Sequence, residues 1–243
     1  MTNTPQFDSA ASTYNSFSTI QSQVGDQLLS LLPNQNITSC LDFGCGTGKL
    51  TQKLCLPNRY IVGYDPSPKM IHIAAQSPEH RPDSTPPTVW TSSLTTCENY
   101  APYSLIFSNT ALQWEQNLPQ TLHWIHTHCS DHALISVFGP NTFCELSRVW
   151  PYPIAATQFH PLSTYETLLS SLFSSVTCTY QSYSIPYKSL HHLLNTIKKT
   201  GAYTSTISGL LTPRLMHRIS RDYRHAFGTF TATYEFALLS CRK

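Results

Sequence analysis

The sequence predicts an α/β fold in which a mostly parallel sheet is covered by helices on both faces. Three observations point there. Short apolar runs recur as strand candidates separated by stretches with helical spacing, and strand alternating with helix is the pattern of a parallel sheet. The chain is sparing with glycine, 9 in 243 residues, yet places Gly44, Gly46 and Gly48 directly after the first strand candidate. The second strand candidate ends in an acid, Asp65, about 20 residues further on.

The elements follow in order. Residues 8 to 32 carry Ile20, Val24, Leu28, Leu29 and Leu32 at helical spacing and end at "LPNQN". "SCLDFG" is the first strand, and "KLTQKLCL" the helix beyond the glycines. "RYIVGYD" is the second strand; "SPKMIHIAAQ" follows as a helix with a serine cap and proline in its first turn. "SPEHRPDSTPP" is a loop. "TVWTSS", "YSLIFSN" and "HALISVF" are further strands, the last preceded by the helical "LPQTLHWIHTHC". The proline-rich "PYPIAATQFHP" reads as a loop or lid, and the tail returns to strand, helix, helix, strand. One wound domain over 1–243 is expected, with a helical cap in 1–35 and a helical or lid insertion within 139–230, between the last strands.

Bulk composition narrows the class. Hydrophobic residues at 40% support a substantial core, and a formal charge of +2 argues against a nucleic-acid coat protein. The eight cysteines form no C-x-x-C pair, so buried, reduced thiols are expected. The N-terminus lacks a basic segment followed by an apolar run, and no stretch reaches membrane length. A cytoplasmic monomer is the expectation.

The glycine loop has three rival ligands. A phosphate-binding loop needs a hydroxyl after its lysine, but Lys49 is followed by Leu50. A dinucleotide fingerprint is G-x-G-x-x-G; here the spacing is G-x-G-x-G, with Asp42 just before it and Cys45 inside it. Strand, acid, tight glycine turn, strand and ribose-binding Asp65 together describe a class I S-adenosylmethionine pocket. The expected sheet is therefore Rossmann-like, with an antiparallel C-terminal strand. A glycine-rich turn with no ligand is the plain alternative, opposed by the entropic cost of glycine.

Further stretches are more selective. "FDSAASTYNSFSTIQ", "LIFSNTALQWEQNLPQTL", "GPNTFCEL", "LLNTIKKTGA", "LLTPRLMHRISRDY" and "TATYEF" occur in this order. Together they resemble the malonyl-acyl-carrier protein O-methyltransferase family of biotin synthesis over nearly the whole chain. The resemblance implies methyl transfer from S-adenosylmethionine to the free carboxylate of a malonyl thioester, on acyl-carrier protein or coenzyme A. It implies that Gly44, Cys45, Gly46 and Gly48 shape the methionine side of the cofactor site. Asp65 would bind the ribose, and Met70 would pack near the adenine. Asn109 would lie at the strand end, Gln113 and Trp114 would line the transfer chamber, and Tyr14 would fold over the cofactor.

The chain departs from that family in two places. Ser92 stands where an adenine-binding acid is usual, with Leu94 at the place of a glutamate. Gln158 stands where an arginine able to pair with a carboxylate is usual. An acidic carrier protein would need a basic face, and Arg214, Arg218, Arg221 and Arg224 recur at helical spacing, with Lys198 and Lys199 nearby. Leu215, Ile219 and Ala226 are expected on another face. The eleven histidines lack partners at metal-ligand spacing, so no metal is expected. Two rivals stay open: methylation of another small carboxylic acid, and a non-catalytic relative acting as an assembly or regulatory partner.

Overall fold

The structure is a computed structural model that describes residues 7–34, 37–77, 88–202 and 212–243. Its elements run α1 (Phe7–Phe17), α2 (Thr19–Leu29), β1 (Ser39–Phe43), α3 (Thr51–Leu54), β2 (Tyr60–Tyr64), α4 (Pro68–Gln76), β3 (Val89–Thr91) and α5 (Leu94–Glu98). They continue with β4 (Tyr103–Asn109), α6 (Leu118–His128), β5 (Cys129–Phe138), α7 (Cys144–Val149), α8 (Leu162–Ser170), β6 (Ser175–Tyr187), α9 (Leu190–Lys199), α10 (Pro213–Phe227) and β7 (Phe230–Arg242). Single turns of 3₁₀ helix lie at Leu112–Trp114 and Ala155–Gln158.

Among the described residues seven strands form one sheet in the order β3-β2-β1-β4-β5-β7-β6. The first five pair in parallel, and β7 runs antiparallel between β5 and β6. Strands β1, β4 and β5 are buried along most of their length because both of their faces are covered. Adjacent residues therefore serve opposite cores: Leu105 and Phe107 pack with Val24 and Leu28 of α2, whereas Ile106 packs with Leu122 and Ile125 of α6. Edge strand β6 instead alternates exposed and half-buried residues.

Local chemistry sets the helix starts. Ser67 caps α4 by accepting from the Met70 N–H, Asn117 caps α6, and Thr212 caps α10, each with proline in the first turn. The expected single helix over 8–32 is two helices broken at Ser18. The segment between β5 and β7 carries α7 and α8, then β6, α9 and α10. Most of the "SPEHRPDSTPP" loop lies outside the described residues. All eight cysteines are free. Among the described residues no helix is long and apolar enough to cross a membrane, and no group of three or more His, Cys, Asp or Glu is placed to hold a metal ion.

Strand order reverses between β1 and β4, and in such sheets ligands bind beyond the carboxyl ends of the strands at that point. The antiparallel β7 adds to this edge. Phe138, the last residue of β5, pairs with Phe236, so Phe230–Glu235 overhang β5 and rise beyond the strand ends.

Candidate active site

A cavity of about 500 Å³ opens at this edge, within the range of small-molecule sites. Gly44 and Gly46, Asp65, and Asn109 reach it from the ends of β1, β2 and β4. Helix α1, the 3₁₀ turn at Ala155–Gln158, the end of α9 and Tyr234 of β7 complete the wall.

The glycine turn is held against β2: the Gly44 and Cys45 N–H groups both donate to the Tyr64 carbonyl, at 2.7 and 2.9 Å. Asp65, 8% exposed, accepts from the Gly46 N–H at 2.9 Å and from the Ser67 N–H at 2.8 Å. Each carboxylate oxygen thus spends one lone pair on the loops and keeps another for a ligand hydroxyl. Burial pushes its pKa up to about 6, against the lowering effect of those two N–H donors, with Asp8 adding to the rise. Asp42 is buried just behind, accepting from Thr51 Oγ1 at 2.6 Å; burial drives its pKa up to about 7.

The three glycines differ in purpose, although all have positive φ. At Gly46 a side chain would meet only Tyr14, at 3.8 Å, so the bare backbone leaves room for a ligand. At Gly44 a Cβ would lie 2.2 Å from the Ala111 Cβ. At Gly48 it would strike the Trp90 indole at 2.6 Å and Ala74 at 3.2 Å. Gly48 does not line the cavity and serves strand–helix packing, not the methionine side of a pocket.

The other expected residues divide similarly. Tyr14, Met70, Asn109, Gln113 and Trp114 all line the cavity. Asn109 bridges elements: its Nδ2 donates to the Gln21 carbonyl of α2 at 3.0 Å, and its Oδ1 accepts from Ser136 Oγ at 2.7 Å. Gln113 donates to the Thr110 carbonyl at 2.6 Å. Trp114 packs edge-on against Phe7 and Phe159, with centroids 5.5 and 4.9 Å away. Burial, then the Asp65 charge, keeps the Tyr14 phenol protonated by raising its pKa. Cys45 sits outside the main cavity, on a small adjoining one of about 40 Å³ shared with Asp42 and Thr47. Ser92 is exposed and lines neither cavity. Gln158 is also exposed and off the wall, while its neighbours Ala156 and Phe159 form that wall.

Helix α1 is a strap fastened over the cavity. Asp8 accepts from the Ser67 hydroxyl, Asn15 from Thr47 Oγ1, and Thr13 donates to the Lys199 carbonyl at 3.1 Å. On the far side, Phe143 sits at φ +61° and its N–H donates to the Thr233 carbonyl at 2.7 Å. Glu145 accepts from both Thr233 N and Oγ1, at 2.9 and 2.6 Å, laying the segment after β5 along β7. Thr110, at φ +49°, and Phe143 are left-handed residues without glycine's freedom, and both face the cavity, where such strain concentrates. Phe7, Asp8, Thr142, Phe159 and Tyr234 are not singled out as site residues by the sequence, although Phe7 and Asp8 open "FDSAASTYNSFSTIQ", Thr142 lies in "GPNTFCEL", Phe159 in "PYPIAATQFHP" and Tyr234 in "TATYEF".

Arg214, Arg218, Arg221 and Arg224 are exposed on α10, opposite buried Ile219 and Tyr223, and Lys198 is exposed on α9. Arg221 pairs with Asp222 at 2.9 Å; of the residues expected on another face than the arginines, Ile219 is buried, Leu215 half-buried and Ala226 exposed.

A parallel sheet with this strand order, one antiparallel strand and a glycine turn beside an acid-ended β2 defines a class I methyltransferase fold. The chain belongs to the methyltransferase-domain family, whose model matches residues 16–199. It is similar to malonyl-acyl-carrier protein O-methyltransferase of Paenibacillus sp. (strain JDR-2), 27% identical over 95% of this chain and 94% of that one. It is also 27% identical to the protein of the same name from Halorhodospira halophila, over 94% of this chain and 83% of the other. Among solved structures, a SAM-dependent methyltransferase from Archaeoglobus fulgidus shares the fold with a TM-score of 0.53, at 14% identity over 94% of this chain and 97% of that one.

Proposed function

We propose that this chain is an S-adenosylmethionine-dependent carboxyl O-methyltransferase acting on the free carboxylate of a malonyl group carried by acyl-carrier protein. The observation that carries this reading is one continuous cavity running from Gly46 and Asp65 to the aromatic chamber of Trp114, Phe159 and Tyr234. Relatives of that name aligned over almost the whole chain support the substrate.

The residues present suit the cofactor. Asp65 retains acceptor capacity for ribose hydroxyls, Gly46 leaves its Cβ position open, and buried Met70 offers an apolar surface to a base. When bound, S-adenosylmethionine supplies a methyl group on a sulfonium, the electrophile of the reaction. The nucleophile needs no activation, because a carboxylic acid of pKa about 4 is already ionised at neutral pH. The chain's work is then alignment and exclusion of water: Phe7 and Tyr14 of α1, together with Trp114 and Phe159, wall the chamber. The ester masks a charge, which the resemblance links to acceptance of the primer by fatty-acid synthesis enzymes.

The test is transfer of labelled methyl to malonyl-acyl-carrier protein, with malonyl-coenzyme A, succinyl-acyl-carrier protein and Gly46→Arg as controls. Ester label on the malonyl carrier, lost in the variant, is the expected result. Cofactor binding without transfer to malonyl would move the substrate to another carboxylic acid, and absence of both would favour the non-catalytic rival.

A further inference from the structure

The proposed substrate is an anion, yet among the described residues no Lys, Arg or His lines the cavity; the charged side chains there are Asp8, Asp65 and Glu115. Gln158, at the place of the usual arginine, points to no replacement because it lies off the wall. A carboxylate entering this chamber has to be held by neutral donors.

Tyr234 offers one. It is 4% exposed, lines the cavity from the overhang of β7, and is braced by Phe143 and Phe138 with centroids 4.9 and 5.9 Å away. Its hydroxyl lies 2.5 Å from that of Tyr187 on β6, and among the described residues neither hydroxyl has another hydrogen-bond partner. Two hydroxyls carry two protons and their mutual bond uses one. Tyr187 does not line the cavity, so with Tyr187 donating, the spare O–H is that of Tyr234. Burial raises the pKa of both phenols, so both stay protonated.

We infer that Tyr234, polarised by Tyr187, is the specificity residue that binds the non-reacting oxygen of the substrate carboxylate. This rests on the proposed carboxyl methylation. The other oxygen forms the new O–CH₃ bond while the CH₃–S bond breaks and its electron pair stays on sulfur. The carboxylate and sulfonium charges cancel, and no proton moves. A neutral hydroxyl withdraws less charge from the nucleophile than a guanidinium would. Its bond to an anion is also stronger than its bond to the ester product, so transfer itself loosens the hold and favours release.

Tyr234→Phe and Tyr187→Phe test this. Losing a hydrogen bond to a charged group should raise KM for the malonyl substrate about 10- to 100-fold in Tyr234→Phe, with kcat within about threefold. Tyr187→Phe should shift KM the same way by less. Calorimetry on protein saturated with S-adenosylhomocysteine should show the same loss for malonyl-pantetheine, and a clearly smaller loss for its methyl ester, whose bond to the hydroxyl is the weaker one. Affinity for S-adenosylhomocysteine should not change. An unchanged KM, or equal losses for acid and ester, would overturn the assignment, because a merely structural role affects both ligands. If wild type methylates another acid instead, the malonyl reading fails and the same acid–ester comparison is made on that acid. A wild type that binds no carboxylic acid overturns both.

Discussion

Replacing Gly46 and Gly48 separately by alanine should produce opposite defects, although the two stand two positions apart in one turn. Both have positive φ, +54° and +78°, and a left-handed alanine costs about 1–2 kcal/mol. At Gly46 nothing further is added, because the new methyl meets only Tyr14 at 3.8 Å. At Gly48 the methyl would lie 2.6 Å from the Trp90 indole. That ring cannot simply retreat, since it also covers Gly63, where a Cβ would sit 2.4 Å away. Overpacking of this kind adds about 1–3 kcal/mol, for a total of about 2–5 kcal/mol in Gly48→Ala. At about 2–4 °C per kcal/mol for a chain of this size, the melting temperature should fall about 2–8 °C for Gly46→Ala and about 4–20 °C for Gly48→Ala. Affinity for S-adenosylhomocysteine should show the reverse order, with Gly46→Ala losing most of its binding because its methyl occupies the cavity. Thermal unfolding without ligand and calorimetric titration read the two quantities separately. Wild-type affinity in Gly46→Ala, or wild-type stability in Gly48→Ala, would refute the division between a pocket glycine and a packing glycine.

Three further outcomes follow from the same geometry. The folded pKa of Asp42, raised by burial to about 7 from an unfolded value of about 3.9, makes the native state bind the extra proton. Its contribution to stability is therefore greatest below pH 4 and is lost as pH rises toward 7; Asp42→Asn should flatten that part of the pH profile in denaturant titrations. Trp114→Ala removes the contact joining Phe7 of α1 to Phe159 and should cost about 2–4 kcal/mol and abolish transfer, whereas Trp114→Phe should retain both in part by steady-state assay and unfolding. Arg214→Glu with Arg218→Glu on the exposed face of α10 should raise KM for malonyl-acyl-carrier protein and remove its salt dependence, leaving KM for malonyl-coenzyme A unchanged.

What local chemistry governs was legible in the sequence alone. The apolar runs of β1, β4 and β5 reflect burial on both faces, the serine cap of α4 needs only its own first turn, and the acid ending β2 meets the glycine turn through the pairing of adjacent strands. The resemblance implied a shared site for Tyr14, Met70, Asn109, Gln113 and Trp114, and all five line one cavity. Tertiary structure decided the remainder because it depends on partners distant in sequence. Gly48 is bare on account of Trp90, and Ser92 and Gln158 are exposed and off the cavity wall, the latter beside Phe159, which forms it. Tyr234 reaches the chamber only because the antiparallel register of β7 carries it past the end of β5, where it meets Tyr187 of the edge strand. A strand's register across a sheet is set by long-range pairing, and no spacing within "TATYEF" encodes it.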